Sequence, residues 1–190
     1  EYNVLCKIRS MPNSAYLLDN ADFALGIVTG NNKEYISDIK NENNEMILKG
    51  ADICKYHITR TNNYIVFKPE NFQQAAPTEM YRSPEKLLYR FISSQLVFAY
   101  DDKQTLSLNS CNIVIPRLPG IKIKYVLAIL NSRIAQFIYK KEFNSVKVLR
   151  SHIENIPIPT ADASTQAEII ALTDKLISVL QAAEAEKVYD

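Results

Sequence analysis

Positively charged side chains are the chemically most suggestive residues of this 190-residue chain, and they gather in one short stretch. Between Ile121 and Arg150 there are seven lysines and arginines against one acid, Glu142, whereas residues 151–190 hold seven acids and two lysines. Flexible cations at this density can bind the phosphates of a polyanion. A solvated surface without a ligand is the alternative that charge alone leaves open. The candidate phosphate-binding residues are Lys122, Lys124, Lys140, Lys141, Lys147 and Arg150.

Groups that support catalysis or metal binding are sparse. The three cysteines are widely spaced and form no Cys-x-x-Cys pair, so we expect no disulfide framework and no metal site. Only four glycines occur, none in a Gly-x-Gly arrangement, so no cofactor-binding loop is predicted. A metal-dependent nuclease is an alternative, because Asp22, Asp38 and Lys40 can be fitted to a pattern of two acids and a lysine. We expect no catalytic residue and no cofactor in this chain.

The elements that must position the cations are a helix and an extended exit. After Lys124 apolar residues recur at steps of three and four from Val126 to Ile138, which predicts a helix with one buried face. The basic stretch follows, and Ile156-Pro-Ile-Pro159 then gives a segment that cannot continue a helix. The residues predicted for the buried face are Val126, Ile129, Leu130, Ile134, Phe137 and Ile138.

The chain before this helix has the pattern of short β-strands separated by turns. Residues 87–91 and 96–100 predict a hairpin, although Ser83-Pro84-Glu85 could instead begin a helix. Further strands are predicted at 23–29, 64–67 and 112–116. The fold class expected is therefore α+β, with a twisted mixed or antiparallel sheet, a packed helix and a C-terminal amphipathic helix.

The two ends of the chain differ from its middle. Residues 161–190 predict a long amphipathic helix beyond the main fold, which begins with a capping box at Thr165-Gln-Ala-Glu168. Residues 1–22 have weak periodicity and predict a lead-in from an upstream domain, which leaves 23–160 as the main domain. No initiating methionine is present, so we expect a piece of a longer protein. Without a signal peptide or an apolar run of about 18 residues, we expect a cytoplasmic protein and no membrane partner.

A series of short motifs in a fixed order carries a family resemblance. Across roughly residues 23–160 the chain resembles the C-terminal specificity domain of TaqI-like N6-adenine DNA methyltransferases and type II restriction–modification enzymes. More distantly, it is similar to the target-recognition domains of type I specificity subunits. The motifs are Gly26-Ile-Val-Thr-Gly-Asn-Asn32, Ile47-Leu-Lys-Gly-Ala-Asp-Ile-Cys-Lys-Tyr56, Tyr64-Ile-Val-Phe67, Lys86-Leu-Leu-Tyr-Arg-Phe91, Ala99-Tyr-Asp-Asp102, Tyr125-Val-Leu-Ala-Ile-Leu-Asn-Ser-Arg133 and Ile156-Pro-Ile-Pro159.

The resemblance implies that this chain binds double-stranded DNA while a methyltransferase domain or subunit performs the chemistry. That partner would bind S-adenosylmethionine, with Mg²⁺ if the parent enzyme also cleaves, and the final helix would dock against it. The adenine-binding motif of such enzymes contains a Pro-Pro pair, which this chain lacks. A protein-interaction module acting through the final helix is a second alternative. The candidate base-reading residues are Asn31, Asn32, Lys33, Tyr81, Arg82 and Asn144.

Overall fold

Two four-stranded sheets and a short strand pair form the framework of residues 2–186, the part of the chain described by this computed structural model. The strands are β1 (Ser14–Ala15), β2 (Ala21–Ala24), β3 (Ile36–Ser37), β4 (Glu45–Leu48), β5 (Tyr64–Ile65), β6 (Lys86–Arg90), β7 (Phe98–Asp101), β8 (Leu106–Ser107), β9 (Cys111–Pro116) and β10 (Ile158–Pro159). The central sheet has the antiparallel order β2-β9-β6-β7. The second sheet, β3-β5-β4-β8, is mixed because β4 and β8 run parallel. The predicted α+β class is confirmed.

Helices cover one face of the central sheet. None in the described range is long and apolar enough to cross a membrane. They are α1 (Tyr2–Arg9), α2 (Asn32–Tyr35), α3 (Thr78–Tyr81), α4 (Ile123–Asn131), α5 (Arg133–Ile138), α6 (Arg150–Glu154) and α7 (Ala163–Glu186). A π-helical turn, Tyr139–Phe143, extends α5, and short 3-10 turns occur at Gly50–Asp52 and Pro69–Asn71.

The central sheet is buried on both faces, which explains its continuous apolar strands. Successive side chains of a strand point to opposite faces. Leu87 and Val114 accordingly pack with the helices in one core. Leu88 and Ile113 pack against the second sheet in the other core.

The predicted hairpin is confirmed: β6 and β7 pair antiparallel, and no helix begins at Ser83-Pro84-Glu85. An ion pair closes its open end, since the fully buried Lys86 ammonium lies 2.5 Å from the Asp101 carboxylate. Lys86 also donates to the Tyr81 carbonyl over 2.8 Å. Removing one partner of such a buried pair typically costs about 3–5 kcal/mol. The hairpin is therefore fastened to α3.

The prediction of a single helix through Val126 and Ile138 is wrong, because the chain leaves helical geometry at Ser132. The Ser132 hydroxyl accepts a hydrogen bond from the Ala135 amide over 3.1 Å and caps the new helix α5. The change of direction exposes Ile134, which is 58% accessible although the pattern predicted it to be buried. Lys140 and Lys141 thus lie on the π-helical turn that extends α5, whereas Lys147 and Arg150 follow it.

The described parts of the two terminal segments, residues 2–22 and 161–186, take part in the main fold. Leu17 is fully buried in the core beneath α4, and β1 pairs with β10. The predicted strand at 23–29 begins earlier, since β2 starts at Ala21 and is regular only to Ala24. Residues 1 and 187–190, which belong to the predicted segments 1–22 and 161–190, lie outside the described residues.

The last helix packs on α4 instead of standing apart. Gln166 is buried, and its side-chain oxygen accepts a hydrogen bond from the Lys122 amide over 3.0 Å. The predicted capping box at Thr165 is wrong, because Asp162 is the cap: its carboxylate accepts from the Thr165 amide over 2.7 Å. That interaction also lowers the pKa of Asp162.

Candidate nucleic-acid interface

The basic stretch folds into a surface hook, residues 139–150, which we call the basic hook. Its base is Tyr139, whose buried ring lies in the core and whose hydroxyl donates to the Ser145 carbonyl over 2.9 Å. The chain reverses at Asn144, which adopts a left-handed conformation with φ 42°. Asn tolerates this conformation better than most residues. The exposed cations of the basic hook are Lys140, Lys141, Lys147 and Arg150.

Backbone pairing and ring stacking fix the basic hook to the central sheet. The Val148 amide donates to the Phe91 carbonyl over 2.8 Å, and the buried Val148 side chain enters the core. The His152 ring stacks on Phe143 at 4.5 Å between centroids. Nδ1 of His152 accepts a hydrogen bond from the Leu149 amide, and partial burial lowers the pKa of this imidazole. These contacts therefore hold the segment that carries the cations in place against the central sheet.

Pairing with a neighbouring helix neutralises the single acid of the basic hook. Arg9 of α1 forms a two-pronged ion pair with Glu142, in which Nε donates over 3.0 Å. The hydrogen bond to Glu142 raises the pKa of Arg9 above its usual value. Arg150 pairs with Glu154 at 2.6 Å and lies 4.9 Å above the Phe23 ring. Glu154 thus offsets the charge of Arg150, and the positive charge of the basic hook comes from its lysines.

Lys122 and Lys124 lie elsewhere, at the junction of α4 and α7. Lys122 is exposed. The Lys124 ammonium lies 2.5 Å from Asp174 of α7 and 4.7 Å above the Tyr100 ring. Lys124 is therefore occupied in fastening α7 to the domain.

A second polar surface is a shallow groove of about 360 Å³, which we call the amide groove. It is lined by residues 28–33 together with Gln73 and Asn109. Gly30 makes its turn with φ 85°, where a side chain would be strained. The sequence-predicted residues Asn31, Asn32 and Lys33 are exposed here. Gln73 and Asn109 were missed because they are distant in sequence and only tertiary pairing brings them to this loop.

The other predicted base readers have different environments. The prediction for Tyr81 is corrected, because its ring is fully buried and its hydroxyl donates to the Leu25 carbonyl over 2.9 Å. Both terminal nitrogens of Arg82 donate to Glu45 over 2.7 Å, and its guanidinium lies 5.1 Å from the Phe67 ring centre. Hydrogen bonding to Glu45 raises the pKa of Arg82. Asn144 is exposed at the turn of the basic hook.

The residues considered for a metal-dependent nuclease do not assemble. Asp22 forms an ion pair with Arg117 at 2.9 Å, and Asp38 lies in an exposed bend after β3. Within residues 2–186, no three His, Cys, Asp or Glu side chains lie together in a group that could hold a metal ion. The described surface thus offers cations and amides as its candidate functional groups.

Comparison with known proteins gives a family and a fold. The model of the TaqI-like C-terminal specificity domain matches residues 45–158. The crystal structure of the HsdS subunit from Thermoanaerobacter tengcongensis superposes with a TM-score of 0.51 at 16% identity, covering 93% of this chain and 40% of that chain. A structure from work on complex assembly and conformational transition of the type I R-M system gives 0.54 at 15% identity, covering 93% and 42%. This chain therefore spans about two fifths of either protein. No curated protein matches it significantly.

Proposed function

Because this chain belongs to the family of TaqI-like C-terminal specificity domains, we propose that it recognises a target sequence in double-stranded DNA for a restriction–modification enzyme. The observation that carries the proposal is the basic hook. It presents four exposed cations on a rigid support, and its one acid is paired with Arg9. Such a surface suits the phosphate backbone of a duplex.

In this mechanism one set of residues provides affinity for DNA and another provides selectivity for its sequence. Lys140, Lys141, Lys147 and Arg150 bind phosphates without regard to sequence and hold the domain on the duplex. Asn31, Asn32 and Lys33 of the amide groove then contact base edges in the major groove. Arg82 would have to break its ion pair with Glu45 before it contacted a base, so we propose that its role is to stabilise the fold.

The chemical step belongs to a partner in this proposal. A methyltransferase domain or subunit, in cis or in trans, binds S-adenosylmethionine and methylates adenine at N6, and Mg²⁺ is needed only if the parent also cleaves. The chain's own contribution is to orient the duplex for that partner.

The last helix offers a surface for the partner. Three apolar side chains on one face of α7 are exposed, at 68% for Leu172, 39% for Leu176 and 58% for Val179. Burying such a face would stabilise a complex. The same observation favours the second candidate function, a protein-interaction module. In that case the double variant Leu172→Gln, Val179→Gln abolishes partner binding. The variants of the basic hook described below leave partner binding unchanged, and partner binding is then the only activity of the chain.

The test is the salt dependence of DNA binding, measured by fluorescence anisotropy with duplexes of several sequences. We expect Lys140→Ala with Lys147→Ala to weaken binding to all sequences alike. The slope of log K against log salt concentration should fall by about 1.8, since each lost phosphate contact removes about 0.9.

A matched control distinguishes the effect of losing cations from the basic hook from the effect of lowering the net charge. Lys40→Ala with Lys175→Ala removes two exposed lysines outside the basic hook and should leave the slope unchanged. An unchanged slope in the hook variant, or an equal loss in the control, would contradict the phosphate-binding role.

A further inference from the structure

We propose that the amide groove reads A·T base pairs in the major groove, with Gln73 and Asn109 as direct base readers. The inference rests on the proposed DNA-binding function and adds two specificity-determining residues and the class of base pair that they select. Gln73 lies directly before Gln74, whose backbone pairs with that of Val28. Asn109 lies in the turn between β8 and β9.

The side-chain amides of the groove have hydrogen-bonding capacity to spare. Gln73 and Asn109 are exposed, and neither side-chain amide forms a hydrogen bond with another residue of the described range. The Asn32 oxygen accepts from the Thr29 hydroxyl over 2.6 Å, and this bond leaves its NH₂ group for a ligand. Asn31 makes one long contact, 3.4 Å to Glu34. The groove therefore presents unused donors and acceptors next to one another.

The chemistry of these groups favours adenine. A carboxamide places an acceptor beside a donor, which matches the N6 donor and N7 acceptor of adenine. Guanine presents two acceptors on the same edge and is read most often by arginine. The groove contains no arginine, and Lys33 is its only cation. Four amides and one lysine are thus suited to A·T pairs flanked by a phosphate.

The groove is held rigidly, as base reading requires. Val28 and Gln74 exchange two backbone hydrogen bonds of 2.9 and 3.0 Å, which fix the loop that carries Gln73. The backbone amide of Asn109 donates to the Ile27 carbonyl over 3.1 Å. Phe72, next to Gln73, is buried against the Tyr35 ring with centroids 5.6 Å apart. Pre-organised side chains lose less entropy when they bind.

The experiment selects binding sites from a library of randomised duplexes, using the 190-residue chain. The variant Gln73→Ala with Asn109→Ala is compared with Gln74→Ala with Asn62→Ala, which removes the same two residue types at exposed positions outside the groove. We expect the first variant to lose roughly 5- to 150-fold discrimination at one or two A·T positions. Preference elsewhere in the site and the salt slope should stay unchanged. The control should select the same site as the unmodified chain.

A modified base gives an independent readout. At those positions 7-deazaadenine, which lacks the N7 acceptor, should weaken binding of the unmodified chain and have no effect on the Gln73→Ala, Asn109→Ala variant.

The outcomes distinguish the inference from the function on which it rests. If the chain selects a site but the variant keeps its full preference, or changes it at G·C pairs, the inference is overturned and the proposed function stands. If the unmodified chain selects no sequence at all, target recognition itself fails, and the inference fails with it.

Discussion

Substitution of Asn131 by leucine tests whether the break between α4 and α5 has a structural purpose. The Asn131 side chain is 5% exposed and pairs with both backbone groups of Phe98. Its oxygen accepts from the Phe98 amide over 3.0 Å, and its nitrogen donates to the Phe98 carbonyl over 2.9 Å. The side chain thus occupies the place of a neighbouring strand at the outer edge of β7. Leucine has a similar size but cannot form either bond.

The expected loss comes mainly from the Phe98 amide, because the Phe98 carbonyl keeps a second hydrogen bond, which it accepts from the Tyr56 amide over 2.7 Å. A buried backbone donor that loses its partner costs about 1–3 kcal/mol, and the bond lost at the carbonyl adds about 1 kcal/mol. The added apolar surface offsets about 1.5 kcal/mol. We therefore expect the free energy of unfolding to fall by roughly 1–2 kcal/mol.

Urea denaturation of Asn131→Leu and of Gln136→Leu measures this difference. Gln136 makes the same two-pronged contact with Leu96, at 2.9 Å for each bond, but in a partly buried setting where water can replace it. The second variant should lose less than half as much stability. Equal losses, or a loss below about 0.5 kcal/mol for Asn131→Leu, would refute the account, because the burial of the unpaired Phe98 amide is the basis of the expected difference.

Three further predictions concern a glycine, the acid of the basic hook and a histidine. Gly26→Ala should destabilise the fold by at least ~2 kcal/mol in urea denaturation, because a Cβ atom there would lie 2.1 Å from the Leu108 carbonyl oxygen. Arg9→Met should weaken DNA binding at low salt by exposing the charge of Glu142, and adding Glu142→Gln should restore it in anisotropy titrations. The pKa of His152 is lowered in the fold, so the unfolded chain takes up a proton first as the pH falls. Thermal unfolding should therefore show a loss of stability below about pH 6.5 that His152→Asn lacks.

Short apolar runs bounded by turns were sufficient to predict three of the four strands of the central sheet. The runs at 87–91, 96–100 and 112–116 are short, apolar and bounded by turns, and all three form neighbouring strands. The helical pattern was less informative. Apolar spacing across Asn131-Ser132 continues without interruption, whereas the break depends on a buried contact with Phe98, more than thirty residues away. A serine at the start of α5 was the local sign of a helix cap.

Candidate base readers were harder to predict because exposure depends on tertiary packing. Tyr81 and Arg82 have residue types suited to base contacts, but the fold buries one and pairs the other with Glu45. Gln73 and Asn109 carry no local signal. They join residues 28–33 through backbone pairing across about 45 and 80 positions of the chain.

The distance between the basic hook and the amide groove constrains how both could act together. Arg150 lies over Phe23, and the chain reaches Asn31 eight residues later. Eight residues span at most roughly 29 Å even when fully extended. One turn of duplex DNA is about 34 Å long. Arg150 and Asn31 are therefore close enough to lie within the length of a single turn. Consequently, hook variants should weaken every sequence without moving the selected site, and groove variants should change the site without changing the salt slope.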